Sequence, residues 1–287
     1  MKISKKPSYF VIYLILLAVF TFASDKVYRL YQQWQTVKTG EYSFNTLMGV
    51  RTFFHTFHSW PGDMKDAGKR LKGCAENEEI CNPASAWAGD GHIGISPFNQ
   101  LGALQLADKT VVPAETAGDE TQLFWVHMEL SGHSVRDIDA AATLNNGTPV
   151  KLGVTHPYSF GENGYVAGYI DGSLPEQITP QQDILKSNVI VLVSKAVFDG
   201  KAELYEAGEQ SFAAWQARSL DLKFDDGRPL TGNLRAYGSP SCFAAPKKGE
   251  KNAPRDWRYN TDQTEFGLFG YAPRDCGLIW EIVPPKS

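Results

Sequence analysis

Residues 9–60 read YFVIYLILLAVFTFASDKVYRLYQQWQTVKTGEYSFNTLMGVRTFFHTFHSW. An apolar run occupies residues 9–23 and is interrupted only by Thr21, and Lys2, Lys5 and Lys6 precede it. An amphipathic stretch follows without a loop signal, until Pro61, which disfavours helical backbone in the residue before it. The order of these segments predicts one long N-terminal helix with an apolar first half.

The apolar run has two interpretations. A secretory signal peptide with a basic start would be cleaved after Ala23. An uncleaved anchor is the alternative, because residues 7–24 form a helix just long enough to cross a bilayer at about 1.5 Å per residue. Helical spacing then continues without a break at Val27, Leu30, Tyr31, Trp34 and Val37, which favours the anchor. The predicted membrane segment comprises Tyr9, Phe10, Val11, Ile12, Leu14, Ile15, Leu16, Leu17, Val19, Phe20 and Phe22.

Three regions follow from this pattern. Residues 1–24 are the basic start and transmembrane segment, residues 25–60 extend the helix, and residues 61–287 form a globular head. Lysines before the apolar run place the N-terminus in the cytoplasm and the head on the other side. Gly40 is a candidate bend. We expect the aromatic face between Phe44 and Phe57 to pack on the sheet of the head.

The head carries the signals of an α+β fold with short strands. Strand-like runs cover residues 165–170 and 189–193, and residues 278–283 read as a closing strand, while residues 203–206 are ambiguous. Helical spacing covers residues 120–130 and 210–220. Turn-forming pairs separate these segments; they are Asn82-Pro83, Gly89-Asp90-Gly91, Asn146-Gly147, Asn163-Gly164, Asp171-Gly172, Asp199-Gly200 and Asp226-Gly227.

The four cysteines allow three disulfide pairings or free thiols. We favour disulfides, because the N-terminus indicates export to an oxidising compartment. The pairing we favour is local, Cys74 with Cys81 and Cys242 with Cys276. The second bridge would close a long loop and stabilise the fold by roughly 3–4 kcal/mol.

Composition and motifs favour no enzyme class. The net charge of −4 gives no basis for nucleic-acid binding. Gly89, Gly91 and Gly94 match a dinucleotide fingerprint by letter, but the flanking prolines argue against the strand and helix that it needs. Asp90 is a calcium candidate with too few carboxylates around it. Asp221, Asp225 and Asp226 form an acidic cluster that reads as turn chemistry, and no cofactor or metal is predicted.

Four segments in order resemble bacterial type IV pilin-like and pseudopilin-like proteins. The first is Phe44-Asn45-Thr46 followed by residues 60–64, which contain the turn Pro61-Gly62-Asp63, and the second is the loop at residues 89–93. Residues 124–132 look like the family's Trp-x-His-Leu-x-Leu-Ala-Gly helix. Residues 219–232, with Asp225-Asp226-Gly227, are similar to its Asp-Asp-Gly segment. The family also tends to have a late cysteine pair at the place of Cys242 and Cys276.

The resemblance departs at the processing site. The family's prepilin peptidase cuts after a glycine, but residues 5–10 read KKPSYF, and the apolar run lacks the family's glutamate. The chain therefore resembles an unprocessed, retained or tip-like member. The resemblance implies a structural or accessory (minor) subunit of a type IV pilus-like filament or a type II secretion pseudopilus. It also implies a single-pass inner-membrane location with a periplasmic or surface head, and sibling subunits and inner-membrane assembly machinery as partners. A membrane-anchored or secreted binding or adhesion module with no filament role is the alternative, and a periplasmic hydrolase with a dispersed site is the third hypothesis.

Overall fold

The long N-terminal helix predicted from the sequence is continuous. The computed structural model describes residues 9–74, 81–83, 88–98, 119–134, 138–140, 151–159, 163–181, 184–262 and 272–283. Helix α1 spans Tyr9–Phe57, 49 residues, and Gly40 lies within it without ending it. The basic start, with Lys2, Lys5 and Lys6, lies outside the described residues. Across the described part of the chain, no helix is both long and apolar enough to cross a bilayer.

The end of α1 is fixed by local contacts. His58 adopts a left-handed backbone conformation, with φ 51°, directly after Phe57. The guanidinium of Arg70 donates to the carbonyl oxygen of Phe57, and it lies 5.6 Å from the centre of that ring. A cation at the C-terminus of a helix satisfies orphan carbonyls and complements the helix dipole. The ring of Trp60 packs on Phe54, at 4.3 Å between centroids, which directs the chain back into the head.

The remaining elements are short. Helices α2, α3, α4 and α5 span Ala67–Arg70, Asp119–Leu130, Lys195–Phe198 and Ala214–Phe224. Strands β1, β2 and β3 span Asn163–Ser173, Ile184–Ser194 and Leu234–Gly238. Strands β4, β5 and β6 span Phe243–Ala244, Arg258–Tyr259 and Cys276–Glu281. Single 3-10 turns occupy Lys72–Cys74, Pro240–Cys242 and Pro254–Asp256.

The head is built on an antiparallel sheet in the order β1-β2-β6-β3. Alternate residues of each strand face opposite sides, so the sheet has two apolar faces. On one face Tyr165, Leu192 and Trp280 join a core shared with the helices. On the other, Val191 and Ile279 pack under the β1–β2 loop and α4. The α+β class and the small antiparallel sheet are as the sequence predicts.

Helix α1 joins the head mainly through α5 and α3. The ring of Phe44 stacks on Phe224 of α5, at 5.9 Å, and Phe224 meets Trp280 of β6 edge-on, at 5.4 Å. The hydroxyl of Ser43 lies 3.0 Å from that of Tyr165 in β1. A relay of rings and a pair of hydroxyls therefore connect the C-terminal half of α1 to the sheet, in addition to the core that Val50 and Phe53 share with it.

Three sequence predictions need correction. Residues 210–213 precede helix α5 instead of starting it, because Phe212 exchanges main-chain hydrogen bonds with Cys276 and is held extended. The pairs Asn163-Gly164 and Asp171-Gly172 fall inside β1. The aromatic face of α1 packs inward only in part: Leu47, Phe54 and Phe57 pack against the core, and Phe44 is half-exposed but stacks on Phe224, while Met48 is exposed.

Other predictions hold, with shifted ends. The helix expected at 120–130 is α3, and the closing strand is β6, which begins two residues earlier than predicted. Residues 203–206 form a turn and not a strand. Gly200 and Gly227 have positive φ in their turns. The pair Asn146-Gly147 lies outside the described residues.

The cysteines pair as favoured from the sequence, Cys74 with Cys81 and Cys242 with Cys276. All four are fully buried. The second bridge joins the end of the β3 segment to the start of β6, two neighbouring strands, and encloses the β4–β5 hairpin.

We expect the two bridges to differ in their contribution to stability. Their sequence separations are 34 and 7 residues, and a longer closed loop removes more entropy from the unfolded chain. Replacing Cys242 and Cys276 together by Ala should lower the free energy of unfolding by about 4 kcal/mol, and replacing Cys74 and Cys81 by about 2.5 kcal/mol. Urea denaturation of both double variants measures this order, and equal losses would contradict it.

A second prediction concerns the contact of α1 with the end of α3. A Cβ added at Gly49 would lie 2.4 Å from the carbonyl oxygen of His133. Gly49→Ala should therefore lower the free energy of unfolding by about 1–3 kcal/mol, although alanine favours a helix over glycine by about 1 kcal/mol. The matched control is Asn45→Ala on the exposed side of α1, which should be neutral or slightly stabilising. A stabilised Gly49→Ala protein would show that α1 does not approach α3 so closely.

Candidate functional site

The N-terminal part of α1 presents large apolar side chains to solvent. Tyr13, Leu16 and Val19 are 64%, 62% and 60% exposed, and Leu14 and Leu17 are also exposed. These include four residues of the predicted membrane segment. For its other members the helical backbone is described and the side chains lie outside the description; they are Tyr9, Phe10, Val11, Ile12, Ile15, Phe20 and Phe22. Contiguous exposed apolar surface of this kind marks a site of contact with lipid or protein.

Helix α5 of the head contacts α1 at Gln32 and Thr36. The side-chain amide of Gln216 in α5 donates to the carbonyl oxygen of Gln32, at 3.3 Å, and to the hydroxyl of Thr36, at 2.9 Å. Both α1 residues are buried. A hydrogen bond to a main-chain carbonyl inside a helix fixes the axial position of α5 along α1. The contact therefore sets the length of helix that projects from the head.

A junction at residues 60–64 connects α1 to the head and brings three of the resemblance segments together. Gly62 has φ +85°, and its N–H donates to Nδ1 of His127 in α3 at 2.9 Å. The carboxylate of Asp63 accepts from the N–H groups of Gly89 and Gly91. The turn, the loop at 89–93 and the α3 helix, which the sequence presents separately, therefore form one structural unit.

The hydrogen bonds of His127 at this junction require a neutral imidazole ring. Because Nδ1 of His127 accepts from Gly62, the ring proton lies on Nε2, which donates to the carbonyl oxygen of Cys81 at 2.9 Å. Burial lowers the pKa of His127 to about 4. Burial also raises the pKa of Asp63 to about 6, against the opposing effect of its two N–H donors. Both groups serve main-chain geometry at the junction.

The loop at 89–94 is held from several sides. Asn188 of β2 accepts from the N–H of Ile93 at 2.8 Å and donates to the carbonyl of Gly91 at 2.9 Å. The ring of His92 stacks on Tyr169 at 3.8 Å. Asp90, the calcium candidate, accepts from the N–H of His92 at 2.7 Å, so its carboxylate caps the turn.

The acidic cluster lies at the C-terminal end of α5. Carboxylate oxygens of Asp221, Asp225 and Asp226 come within 4.8 Å of one another. Asp221 is buried and accepts from the hydroxyl of Tyr259 at 2.7 Å and from the N–H of Gly227 at 2.9 Å. Burial raises the pKa of Asp221 to about 7, and the two neighbouring carboxylates add to the effect.

The other two carboxylates of the cluster also organise turns. Asp225 accepts from the N–H of Leu234 at 2.8 Å, and Asp226 accepts from the N–H of Arg228 at 2.9 Å and from the hydroxyl of Thr231. The segment Asp225-Asp226-Gly227 therefore connects α5 to β3, and Asp221 ties α5 to the disulfide loop through Tyr259. Sequence reasoning identified the turn and missed Tyr259, which is remote in sequence and carries no motif.

One groove of the described head has the size of a ligand site. It encloses about 470 Å³ beside the end of β1 and is lined by Ile95, Phe98, Tyr169, Asp171 and Glu176 among others. Its lining mixes apolar, aromatic and acidic side chains. Comparison with protein-family models, curated proteins and solved structures finds no match to this chain.

The junction generates a prediction on pH dependence. In the unfolded chain the pKa values are 6.5 for His127 and 3.8 for Asp63. Between pH 4 and 6, His127 is protonated in the unfolded state and neutral in the folded state. Asp63 is protonated in the folded state and ionised in the unfolded state. His127 therefore lowers the free energy of unfolding as pH falls, and Asp63 lowers it as pH rises. Each slope is about 1.4 kcal/mol per pH unit, so they oppose each other.

The two groups separate on substitution. In the His127→Gln variant the Asp63 contribution remains, so the free energy of unfolding should decrease with rising pH relative to the unsubstituted protein. In the Asp63→Asn variant the His127 contribution remains, so it should increase with rising pH. Urea denaturation of both variants and the unsubstituted protein between pH 4 and 6 measures the slopes. Slope changes of the same sign in both variants would contradict this account of the junction.

Proposed function

We propose that this chain is a structural or accessory (minor) subunit of a type IV pilus-like filament or a type II secretion pseudopilus. The observation that carries the proposal is the difference between the two parts of α1, one packed on the head and the other exposed. One uninterrupted helix of 49 residues has its C-terminal half fixed to the head and its N-terminal part exposed with apolar side chains. A protein that acted alone in solution would gain nothing from such a projection, and a subunit that packs lengthwise with others requires it.

The membrane anchor is part of the proposal and rests on the sequence. The lysines before residue 9 and the apolar run at residues 9–23 favour an N-terminus in the cytoplasm and a head in the periplasm or at the cell surface. Sibling pilin-like subunits and inner-membrane assembly machinery are the proposed partners. The absence of a glycine at the processing site favours a retained or tip position over that of a repeating subunit.

The proposal assigns no catalytic role to the chain. The titratable groups that the sequence singles out in the described head have structural duties. His127 and Asp63 hold the junction, and Asp221, Asp225 and Asp226 hold turns. The two disulfides suit an exported head.

A binding or adhesion module without a filament role is the second candidate. The groove beside Tyr169 favours it, because a volume of about 470 Å³ with mixed lining matches the size of small-ligand sites. A secreted form of this module would not explain why α1 projects so far from the head, whereas a membrane-anchored form would use the same projection as its anchor.

Cell fractionation tests the proposal. We expect the full chain to remain in the membrane, and to appear in sheared surface filaments when the machinery is active. Leu16→Arg should shift it out of the membrane fraction, because a cation in lipid costs about 3 kcal/mol. Leu222→Arg on α5 is the matched control, since Leu222 is also exposed, at 54% against 62% for Leu16. A soluble protein that begins at Ser24 and never accompanies filaments would overturn the proposal.

A further inference from the structure

Strand β1 lies at one edge of the sheet, and only part of its outer side is covered. The N–H of Tyr165 donates to the carbonyl oxygen of Pro157 at 3.3 Å, so the main-chain groups of Tyr165 point away from β2. Alternate residues of a strand share this direction, and Tyr169 and Asp171 therefore also direct their N–H and C=O groups outward. Among the described residues, none forms a hydrogen bond with these outward main-chain groups.

At the other edge of the sheet, the outward N–H groups of β3 all have acceptors. These donors and their acceptors are Leu234 with the carboxylate of Asp225, Ala236 with the carbonyl of Pro229, and Gly238 with the carbonyl of Ile178, at 2.8, 2.7 and 2.9 Å. An open strand edge is a template for pairing with another chain, and folded proteins normally block it. The uncovered stretch of β1 is therefore an exception in this sheet.

The groove of about 470 Å³ described above lies along this uncovered stretch. Tyr169, Ile170 and Asp171 all line it. Consecutive strand residues face opposite sides of a sheet, so a cavity that all three line must follow the edge of the strand. The open main-chain groups of β1 therefore lie in a concave site, and its volume is within the range of ligand sites.

The two sides of the groove differ in their chemistry. On one side Asp171 is 66% exposed, and one of its carboxylate oxygens lies 3.2 Å from Nζ of Lys186. A carboxylate has acceptor sites for more than one cation. On the other side Ile170, Leu174 and Phe98 are core residues that line the groove. The groove therefore suits a strand whose side chains alternate between basic and apolar.

We propose that an extended segment of a partner protein, with alternate basic and apolar residues, adds to β1 in this groove as an antiparallel strand. Its main chain bonds to the outward groups of Tyr169 and Asp171, which is recognition by β-augmentation. Its basic side chains lie opposite these two residues, next to the carboxylate, and its apolar side chains lie on the side of Ile170. The antiparallel direction follows the bridge between Tyr158 and Gly164, with which the chain covers the start of the same edge.

A second copy of this chain is a poorer occupant than a basic segment. Pairing of two β1 edges would bring the Asp171 carboxylates of both copies into one short antiparallel ladder, and like charges on facing strands destabilise such a pair. The groove is built by the head alone. The inference therefore goes beyond the proposed filament role and does not depend on the anchor.

A labelled peptide tests the recognition of the main chain. We expect a short, capped peptide of alternating lysine and valine to bind the full chain in detergent, as measured by fluorescence anisotropy. In the antiparallel arrangement the lysine residues exchange both hydrogen bonds with β1, and the main-chain groups of the valine residues face solvent. N-methylation of the lysine main-chain nitrogens should therefore weaken binding at least tenfold, while N-methylation of the valine nitrogens should leave it within twofold.

The methylated peptides are matched controls for charge. Both keep the lysine side chains of the parent peptide, so non-specific attraction to an acidic chain would hold all three equally. Equal affinities for the three peptides, or no binding of the parent peptide, would overturn the proposal.

A variant of the groove gives a second, independent test. Asp171→Pro removes an outward donor and leaves the β1–β2 hydrogen bonds in place, because proline is tolerated at edge positions of this kind. It should weaken binding of the parent peptide at least tenfold. Asp171→Asn is the matched control, since it keeps the N–H and removes only an exposed charge of small effect, and it should weaken binding no more than about threefold.

Urea denaturation establishes that both variants are folded. A folded Asp171→Pro protein that binds the peptide as tightly as the unsubstituted chain would contradict the proposal. If this variant does not fold, the comparison of the methylated peptides decides.

This inference and the filament proposal fail separately. A chain that accompanies filaments and does not bind the peptide overturns the inference alone. A soluble chain that begins at Ser24 and binds the peptide with the expected dependence on N-methylation supports the inference and overturns the filament proposal.

Discussion

The close contact between α1 and α5 is the constraint on which the rest of the molecule depends. A Cβ at Gly40 would lie 2.7 Å from Cδ2 of Leu220 and 2.8 Å from Cε2 of Phe224. Helices at this separation admit only small side chains between them, and threonine or serine hydroxyls satisfy themselves on the carbonyl four residues back, as Thr36, Ser43 and Thr46 do. Most of the large side chains of this part of α1 are consequently exposed, and Phe44 reaches α5 only by stacking on Phe224.

The head is organised around that contact from both ends of α5. Gln216, near its start, fixes the axial position of α1. Asp221 and Asp225, near its end, fix Tyr259 and the start of β3. One short helix thus connects the long helix, the sheet and the disulfide loop, and local changes in it would be felt at all three.

The sequence predicted those features that depend on local pattern. The continuous helix follows from uninterrupted spacing as far as Pro61, and strands β1, β2 and β6 follow from runs of β-branched and aromatic residues. Strand β3 was missed because LRAYG is short and has no alternation that distinguishes it. The start of α5 was placed too early because the pairing of Phe212 with Cys276 overrides the helical spacing, and this partner lies 64 residues away.

In the candidate sites, too, local turns could be predicted and contacts with distant segments could not. The Pro61-Gly62-Asp63 turn and the Asp225-Asp226-Gly227 turn were recognised from residue types. Their partners His127, Gly89 and Tyr259 come from distant segments and could not be read from spacing. The inward packing of α1 between Phe44 and Phe57 was predicted in part: Leu47, Phe54 and Phe57 pack against the core, while Met48 is exposed.

The disulfide bond between Cys242 and Cys276 determines what proteolytic cleavage does to the head. The segment between the cysteines includes an exposed stretch at residues 247–252, rich in lysine, of the kind that proteases cut. A single cut there would leave β6 covalently attached to the segment that follows β3 and still paired on both sides in the sheet. A nicked head would thus keep its central strand and migrate as one species until a reductant is added.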